Sequence, residues 1–222
     1  MTSLLQKLTR LGYPALGIAD EAPKVPSHPT AEILAMPDAE VILYRDFFSP
    51  SESDAFFQAL YHNINWKQEA IIVFGKVINQ PRLTAWHGEE GAVYAYSGIS
   101  LTPNPWTPTL LEIKQRIEEV AEVQFNSVLL NLYRNECDSV GWHSDAEPEL
   151  GINPVIGSVS FGATRSFQFR HKRSSKLYKT VDLTHGSLLL MRGSTQHHWR
   201  HRIPRSTKPH GPRTNLTFRL IK

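Results

Sequence analysis

A histidine and an aspartate lie two positions apart in the sequence, at His143 and Asp145. Successive side chains of an extended segment alternate in direction, so both would point to the same side and could bind one ion. Candidates for a third ligand are His197, His198 and His201. Two histidines and one carboxylate are a ligand set that suits non-haem iron(II) and oxygen chemistry, whereas zinc is more often held by three or four His or Cys ligands. On its own, the pair also fits a hydrogen-bonded core histidine beside an aspartate in a turn.

A second group of polar side chains recurs at every other position near the end of the sequence. Arg213, Asn215, Thr217 and Arg219 would share one face of a strand. Burying two guanidinium groups is costly without anions, and each guanidinium matches a carboxylate through two parallel hydrogen bonds. The pattern therefore predicts a site for a dicarboxylate co-substrate such as 2-oxoglutarate. The alternative is an exposed edge strand whose arginines pair with surface acids.

The segment 128–133 has the same alternation. Leu129, Asn131 and Tyr133 share one face of a predicted strand, and the apolar residues between them share the other. Asn131 and Tyr133 could donate hydrogen bonds to the same ligand as the two arginines.

Two helices precede most of the predicted strands. A strand at 41–45 leads into a helix that ends near residue 62, where Ser49 and Glu52 have the spacing of a capping box and Pro50 suits the first helical turn. A second helix begins near Thr107. Its apolar stripe consists of Leu110, Ile113, Ile117 and Val120.

From residue 125 onward the apolar period changes from 3.6 to 2, which indicates strands. The predicted strands cover residues 125–134, 155–162, 165–171, 177–183, 186–191 and 213–221. Many short strands that follow helices predict an α+β fold in which helices back a β-sandwich or jelly roll.

The composition is that of a soluble globular protein. The 222 residues are 41% hydrophobic and 20% charged, and no apolar run approaches the roughly 18 residues that a membrane span requires. The single cysteine, Cys137, excludes an intramolecular disulfide and fits the cytoplasm or nucleus. We predict an N-terminal extension and linker at 1–40, a catalytic domain at 41–222, a monomer and no membrane partner.

Charge is strongly segregated along the chain. Residues 165–222 contain 14 Lys and Arg against one acid, Asp182, whereas residues 1–164 contain 10 basic and 20 acidic residues. A basic half of this kind is typical of proteins that bind the phosphate backbone of nucleic acids. The alternative is a solvated basic face without a partner.

Taken together, these motifs resemble the AlkB family of iron(II)- and 2-oxoglutarate-dependent oxidative dealkylases. The resemblance covers roughly residues 70–222 and is closest to the branch that repairs double-stranded DNA. Its main motifs are Asn131-Leu132-Tyr133, His143-x-Asp145, His201-x-Ile203-Pro204 and Arg213-x-Asn215-Leu216-Thr217-Phe218-Arg219. The branch motifs are Val73-Phe74-Gly75-Lys76, Pro81-Arg82, Tyr94-x-Tyr96-Ser97-Gly98 and Ser158-Val159-Ser160-Phe161-Gly162.

The resemblance implies a double-stranded β-helix (jelly-roll) core with an N-terminal nucleotide-recognition lid. It implies iron(II) ligands at His143, Asp145 and His201. It implies 2-oxoglutarate binding by Asn131, Tyr133, Arg213 and Arg219, supported by Asn215 and Thr217. The implied substrate-binding residues are Phe74, Arg82, Tyr94, Tyr96, Ser97 and Glu147. One departure from the family pattern is Trp142, a bulky residue before the first ligand, which raises a question about the shape of the neighbouring pocket.

The implied activity is oxidative demethylation, with dioxygen, of N-alkylated bases in DNA or RNA, either single- or double-stranded. Two alternatives follow from the residues. One is an oxygenase of the same chemistry that acts on RNA or on protein side chains. The other is a non-catalytic nucleic-acid-binding module.

Overall fold

The computed structural model describes residues 30–73, 76–90, 94–96, 99–101 and 103–222, and this description leaves out the side chains of 71–73, 94–96 and 99–101. Two antiparallel sheets make up most of it. The larger consists, in spatial order, of β1 (Ala31–Ile33), β2 (Glu40–Tyr44), β13 (Ser187–Arg192), β10 (Ile156–Gly162), β15 (Arg213–Arg219), β8 (Ser127–Tyr133) and β5 (Leu83–Gly88). The smaller consists of β12 (Tyr178–Leu183), β11 (Arg165–His171), β14 (Trp199–Ile203) and β9 (Val140–His143).

Two short ribbons occupy the chain between the first two helices. One pairs β3 (Ala70–Val73) with β4 (Lys76–Asn79), and the other pairs β6 (Tyr94–Tyr96) with β7 (Ile99–Leu101). They lie in the part of the sequence that carries the predicted lid residues.

Helix α1 (Pro50–Asn63) begins as its sequence predicts. The Ser49 hydroxyl accepts a hydrogen bond from the Glu52 amide, and the Glu52 carboxylate accepts one from the Ser49 amide. Helix α2 (Pro108–Ala121) is capped by Thr107 in a similar way. Its residues Leu110, Ile113 and Ile117 are fully buried, which confirms the predicted apolar stripe.

Apolar side chains form two core clusters, one on each face of the large sheet. Residues such as Phe56 and Ile113 join the helices to Leu216 and Phe218 of β15. On the opposite face, residues such as Leu189 pack against Phe169, Trp199 and other residues of the small sheet. The molecule therefore has three layers, with the helices behind the large sheet and the small sheet in front of it. This confirms the predicted helix-backed jelly roll.

Each of the six strands predicted after residue 125 agrees with an observed strand to within two residues at either end. β9 and β14 have no counterpart among those predictions. In β14 the inward position between Trp199 and Ile203 is occupied by His201, a polar residue, so the strand does not display the usual alternation of apolar and polar residues.

The N-terminal part of the described chain packs on the two sheets. β1 pairs with β2, and Leu34 and Met36 are buried in the core between the sheets. The domain division at residue 40 stays a prediction. Within the described ranges, no helix has the length and apolar character needed to cross a bilayer.

Candidate active site

Strand pairing in the small sheet brings the predicted metal ligands together. His143 on β9 lies directly opposite His201 on β14, and their ring centroids are 4.3 Å apart. Asp145 follows the end of β9 by two residues. The ligand atoms of the three residues all lie within 4.8 Å of one another. His197 and His198 lie in the short helix α3 (Thr195–His198) and are not part of this triad.

Asp145 is held as a buried anion. Its side chain is 3% exposed, and its Oδ1 accepts a hydrogen bond from Nη2 of Arg219 at 2.9 Å. Burial alone would raise the pKa of this carboxyl, but electrostatic attraction to Arg219, with contributions from His201 and His143 and the hydrogen bond from Arg219, outweighs burial and lowers the pKa to about 2. The carboxylate is therefore ionised throughout the physiological pH range.

Both histidines present nitrogen lone pairs. The Nδ1 atom of His143 lies 2.9 Å from the Gly141 carbonyl, a contact in which Nδ1 must carry the proton, so Nε2 is free to act as a ligand. Burial, followed by repulsion from His143, lowers the pKa of His201 to about 3, so its imidazole is neutral. One anionic oxygen and two neutral nitrogens fit an iron(II) ion, and they leave further coordination positions open.

A pocket between the sheets extends from the triad to the inner face of the large sheet. Cross-strand pairing places Arg213 opposite Tyr133 and Asn215 opposite Asn131 on that face. The pocket lining includes all three predicted metal ligands and all the predicted co-substrate residues, namely His143, Asp145, His201, Asn131, Tyr133, Arg213, Asn215, Thr217 and Arg219.

Arg213 is a buried cation with unused hydrogen-bond donors. It is 1% exposed, and Nη2 donates to the Ser160 hydroxyl at 2.9 Å. Its Nε and Nη1 have no hydrogen-bond partner among the described residues, although its guanidinium carbon lies 5.1 Å from the centroid of the Tyr133 ring. Burial lowers its pKa to about 10, which leaves it charged at neutral pH. A buried guanidinium of this kind fits a carboxylate ligand such as an end of 2-oxoglutarate.

The neighbouring amides have different roles. Both donors of Asn215 are used, since Nδ2 donates to the Ser158 hydroxyl and to the Val159 carbonyl, each at 2.9 Å. Oδ1 of Asn131 accepts a hydrogen bond from Nε of Arg82 at 2.7 Å, which leaves its Nδ2 group to donate to a ligand. Asn215 therefore positions the strand, whereas Asn131 can contact the ligand.

Two supporting residues were not assigned a role from the sequence. The Gln196 side chain, 1% exposed, accepts a hydrogen bond from the Asp145 amide at 2.9 Å and so holds the loop that carries this ligand. Arg165, 2% exposed, donates to the carbonyls of Asn135, Asp138 and Pro204 and thereby joins two loops near Tyr133. The period-2 pattern of β11 could have indicated that Arg165 faces inward.

The predicted substrate residues are only partly described. Arg82 lines the pocket. Glu147 does not, although its Oε2 is buried and has no hydrogen-bond partner among the described residues. Phe74 and Ser97 lie outside the described residues. Tyr94 and Tyr96 belong to β6, but their side chains lie outside the description.

Trp142 leaves the pocket unobstructed. The guanidinium groups of Arg170 and Arg202 each lie 4.5 Å from the centroid of its ring, on the opposite side of the small sheet from His201. It does not line the pocket. The departure from the family pattern at this position therefore affects the outer face of the sheet.

Comparison with known proteins agrees with this geometry. Residues 40–219 match the model of the 2OG-Fe(II) oxygenase superfamily. The human "Alpha-ketoglutarate-dependent dioxygenase alkB homolog 3" is 47% identical over 192 residues, which are 82% of this chain and 66% of that protein. The chain thus spans just under two thirds of the length of that relative.

The chain covers a larger share of a second group of relatives, the ALKBH2 proteins. The mouse "DNA oxidative demethylase ALKBH2" is 42% identical over 188 residues, which cover 80% of this chain and 79% of that protein. The solved structure of OsALKBH1 superimposes with a TM-score of 0.58 over 86% of this chain and 100% of that chain, at 17% identity, and therefore supports the fold alone. The sequence matches establish, and the His143, Asp145 and His201 triad agrees, that this chain belongs to the AlkB family of the 2OG-Fe(II) oxygenase superfamily.

Proposed function

We propose that this protein removes alkyl groups from N-alkylated bases, such as 1-methyladenine and 3-methylcytosine, by oxidative demethylation in DNA or RNA. The observation that carries the proposal is that the triad and the unused donors of Arg213 belong to one pocket. When bound, iron(II) and 2-oxoglutarate supply an oxidation by dioxygen that hydroxylates the alkyl carbon and yields succinate, carbon dioxide, formaldehyde and the unmodified base.

The residues of the chain would bind and orient these reactants. His143, Asp145 and His201 would hold the metal. Arg213 and Asn131 would bind 2-oxoglutarate through charge-assisted and neutral hydrogen bonds. Phe167 stacks on the His201 ring at a centroid distance of 5.1 Å and would limit access of water to that side of the site.

The substrate class is supported by charge and by the relatives. The basic half of the chain contains all of the small sheet except β9, and the guanidinium groups of Arg170 and Arg202 beside Trp142 add cations to the outer face of that sheet. The ALKBH2 relatives are named DNA oxidative demethylases. Since a target atom within a base stack is inaccessible, the base would be flipped out of the stack, and a damaged base that pairs poorly costs least to extrude. We further propose a monomer that acts in the cytoplasm or nucleus.

The direct test is anaerobic addition of iron(II) and 2-oxoglutarate followed by air, with alkylated oligonucleotides and mass-spectrometric detection of the repaired base and succinate. Single-stranded DNA, duplex DNA, RNA and a peptide would compete in one reaction. Repair of the nucleic acids with one succinate per repaired base supports the proposal. Turnover of the peptide alone would assign the oxygenase to proteins, and nucleic-acid binding without succinate release would leave only a binding module.

The basic segment around the end of β14 should contact phosphates. Arg200, Arg205 and Lys208 are exposed. Neutralising each to Gln should weaken binding to all sequences alike and reduce the slope of log K against log salt by about one unit if the contact is fully engaged. Binding measured by fluorescence anisotropy from about 50 to 200 mM salt checks this prediction.

Arg45→Gln is the matched control, because Arg45 is an exposed arginine on the loop after β2 that already pairs with Glu32 at 2.9 Å. It should leave the slope unchanged. An unchanged slope after all three substitutions in the basic segment would move the nucleic-acid-binding surface elsewhere.

Phe74 should contribute mainly to the repair of duplex substrates. Its position in the sequence is between β3 and β4, and the family resemblance implies that an aromatic residue here fills the gap left by a flipped base. A wedge offsets part of the unstacking cost of a few kcal/mol, which is largest in a duplex and nearly absent in a single strand. Phe74→Ala should therefore slow repair of a duplex much more than repair of the same lesion in single-stranded DNA.

Thermal unfolding separates this role from a core role. A buried Phe→Ala change costs roughly 3 kcal/mol or more, whereas a wedge exposed to solvent costs little stability. Equal loss of activity on both substrates, or a large drop in Tm, would assign Phe74 to the core.

A further inference from the structure

A second group of potential metal ligands lies outside the active site. It consists of Asp38, His171 and His198, whose ligand atoms all lie within 4.8 Å of one another. They come from three separate elements, namely the turn before β2, the end of β11 and the end of α3. None of them lines the active-site pocket.

The surrounding backbone holds these three residues in place. Asp38 has a left-handed backbone with φ of 55°, and its carbonyl accepts a hydrogen bond from the Ser194 hydroxyl at 3.1 Å. The indole of Trp199 donates to the Pro37 carbonyl at 2.8 Å. The Lys172 amide donates to the His198 carbonyl at 2.7 Å and so links the ends of β11 and α3. These hydrogen bonds fix the backbone that carries Asp38, His171 and His198.

His171 directs an unused polar atom into this group. The residue is 8% exposed, and its Nε2 has no hydrogen-bond partner among the described residues, although Oδ2 of Asp38 lies 3.7 Å away. The His198 ring is nearly parallel to the His171 ring, with centroids 5.9 Å apart. A buried, unpartnered imidazole nitrogen beside a carboxylate and a second imidazole is the chemistry of a metal site.

We propose that Asp38, His171 and His198 bind a divalent transition-metal ion of the Zn²⁺ class, with water as a fourth ligand. Zinc bonds to imidazole nitrogen and carboxylate oxygen are about 2.0–2.2 Å long, which places tetrahedral ligand atoms roughly 3.5 Å apart. The 3.7 Å contact between His171 and Asp38 is already close to this spacing. Small side-chain rotations would bring a ring nitrogen of His198 to the same distance from the ion.

The neighbouring charges select the kind of ion. Lys172, Arg173 and Arg200 line an adjacent surface pocket together with His171. The Nζ atom of Lys172 donates a hydrogen bond to the Gln196 carbonyl at 2.8 Å, which holds this cation near the group. Because these cations oppose a bound dication, hard ions such as Mg²⁺ or Ca²⁺, which gain little from imidazole, are disfavoured. Only an ion that bonds strongly to two imidazoles overcomes the repulsion.

One hydrogen bond changes when the ion binds. Nδ1 of His171 accepts a bond from the Arg173 amide at 3.2 Å. Coordination through Nε2 requires the ring proton on Nδ1, so this long bond is given up. Arg173 is exposed, and water can replace the lost acceptor.

The test counts bound Zn²⁺ on the full chain by equilibrium dialysis and elemental analysis. The wild-type protein should bind about two ions, one at the triad and one at the second site. Asp145→Ala should retain the ion at the second site. Asp38→Asn and His198→Ala should each retain the ion at the triad and weaken the second site by at least about 100-fold. Asparagine tolerates the left-handed backbone at position 38, so the first of these variants is expected to fold.

His197→Ala is the matched control, since His197 is the exposed neighbour of His198. It should bind as many ions as the wild type. In the Asp145→Ala background, Zn²⁺ should raise Tm, and adding Asp38→Asn should remove that increase. Two ions bound by both Asp38→Asn and His198→Ala, or no ion bound by Asp145→Ala, would overturn the proposal.

Discussion

Asp145→Ala is expected to abolish turnover, with a loss well beyond the roughly 10–100-fold that follows when a residue supporting a metal ligand is removed. Asp145 is the only anionic member of the triad, and without it two neutral imidazoles would have to hold a dication. The measurement is succinate release together with demethylation of an alkylated oligonucleotide. A variant that couples the two at the wild-type rate would remove Asp145 from the site.

Two companion variants show whether the loss arises from the metal or from folding. Asp145→Asn retains an oxygen that can accept the hydrogen bond from Arg219 but removes the negative charge, so it should lose activity. Its Tm should fall, because the guanidinium of Arg219 loses its counter-charge, but the protein should still unfold cooperatively above the assay temperature. His201→Ala should also abolish turnover, whereas His197→Ala, at an exposed position two residues before Trp199, should not. Equal effects of the two histidine substitutions would contradict the assignment of His201 as the third metal ligand.

Arg213→Ala is expected to raise the KM for 2-oxoglutarate by roughly 10–100-fold, the range that corresponds to a charge-assisted hydrogen bond of about 1.5–3 kcal/mol. The physical reason is the buried guanidinium whose Nε and Nη1 have no partner among the described residues. Nucleic-acid affinity should hardly change, because Arg213 is 1% exposed. Steady-state kinetics at varied 2-oxoglutarate concentration measure the KM. Fluorescence anisotropy measures the nucleic-acid affinity.

Arg213→Lys tests whether geometry matters as well as charge. Lysine retains the positive charge but lacks the planar fork that matches a carboxylate, so the KM should lie between those of the wild type and the alanine variant. Arg45→Ala, at an exposed arginine, serves as the control. A KM that does not change in Arg213→Ala, with Tm preserved, would place the co-substrate carboxylates elsewhere.

Local sequence patterns were sufficient to predict the two long helices, most of the strands and the residues on the inner face of the large sheet. The capping box of α1 and the buried stripe of α2 depend on residues within one or two helical turns, and both were predicted. The shared face of Arg213 and Asn215 follows from strand alternation alone, as does that of Asn131 and Tyr133. Such contacts are set by the local backbone period and require no knowledge of the rest of the chain.

The choice among His197, His198 and His201 could not be made from spacing, although the family resemblance implied His201. The antiparallel register that places His201 opposite His143 joins strands far apart in the sequence. A shift of one residue in that register would turn His201 to the outer face. Only the paired structure therefore shows that His201, and neither His197 nor His198, lies beside His143 and Asp145.

Tertiary packing also decided which polar groups are buried and what they contact. The sequence contains Arg165, Gln196 and Trp142 without indicating that the first two support the site or that the third contacts two arginines on the outer face. The second histidine cluster likewise arises because a turn, a strand end and a short helix meet. These arrangements depend on how the sheets and loops pack against one another, which involves residues distant in sequence and has no local signature.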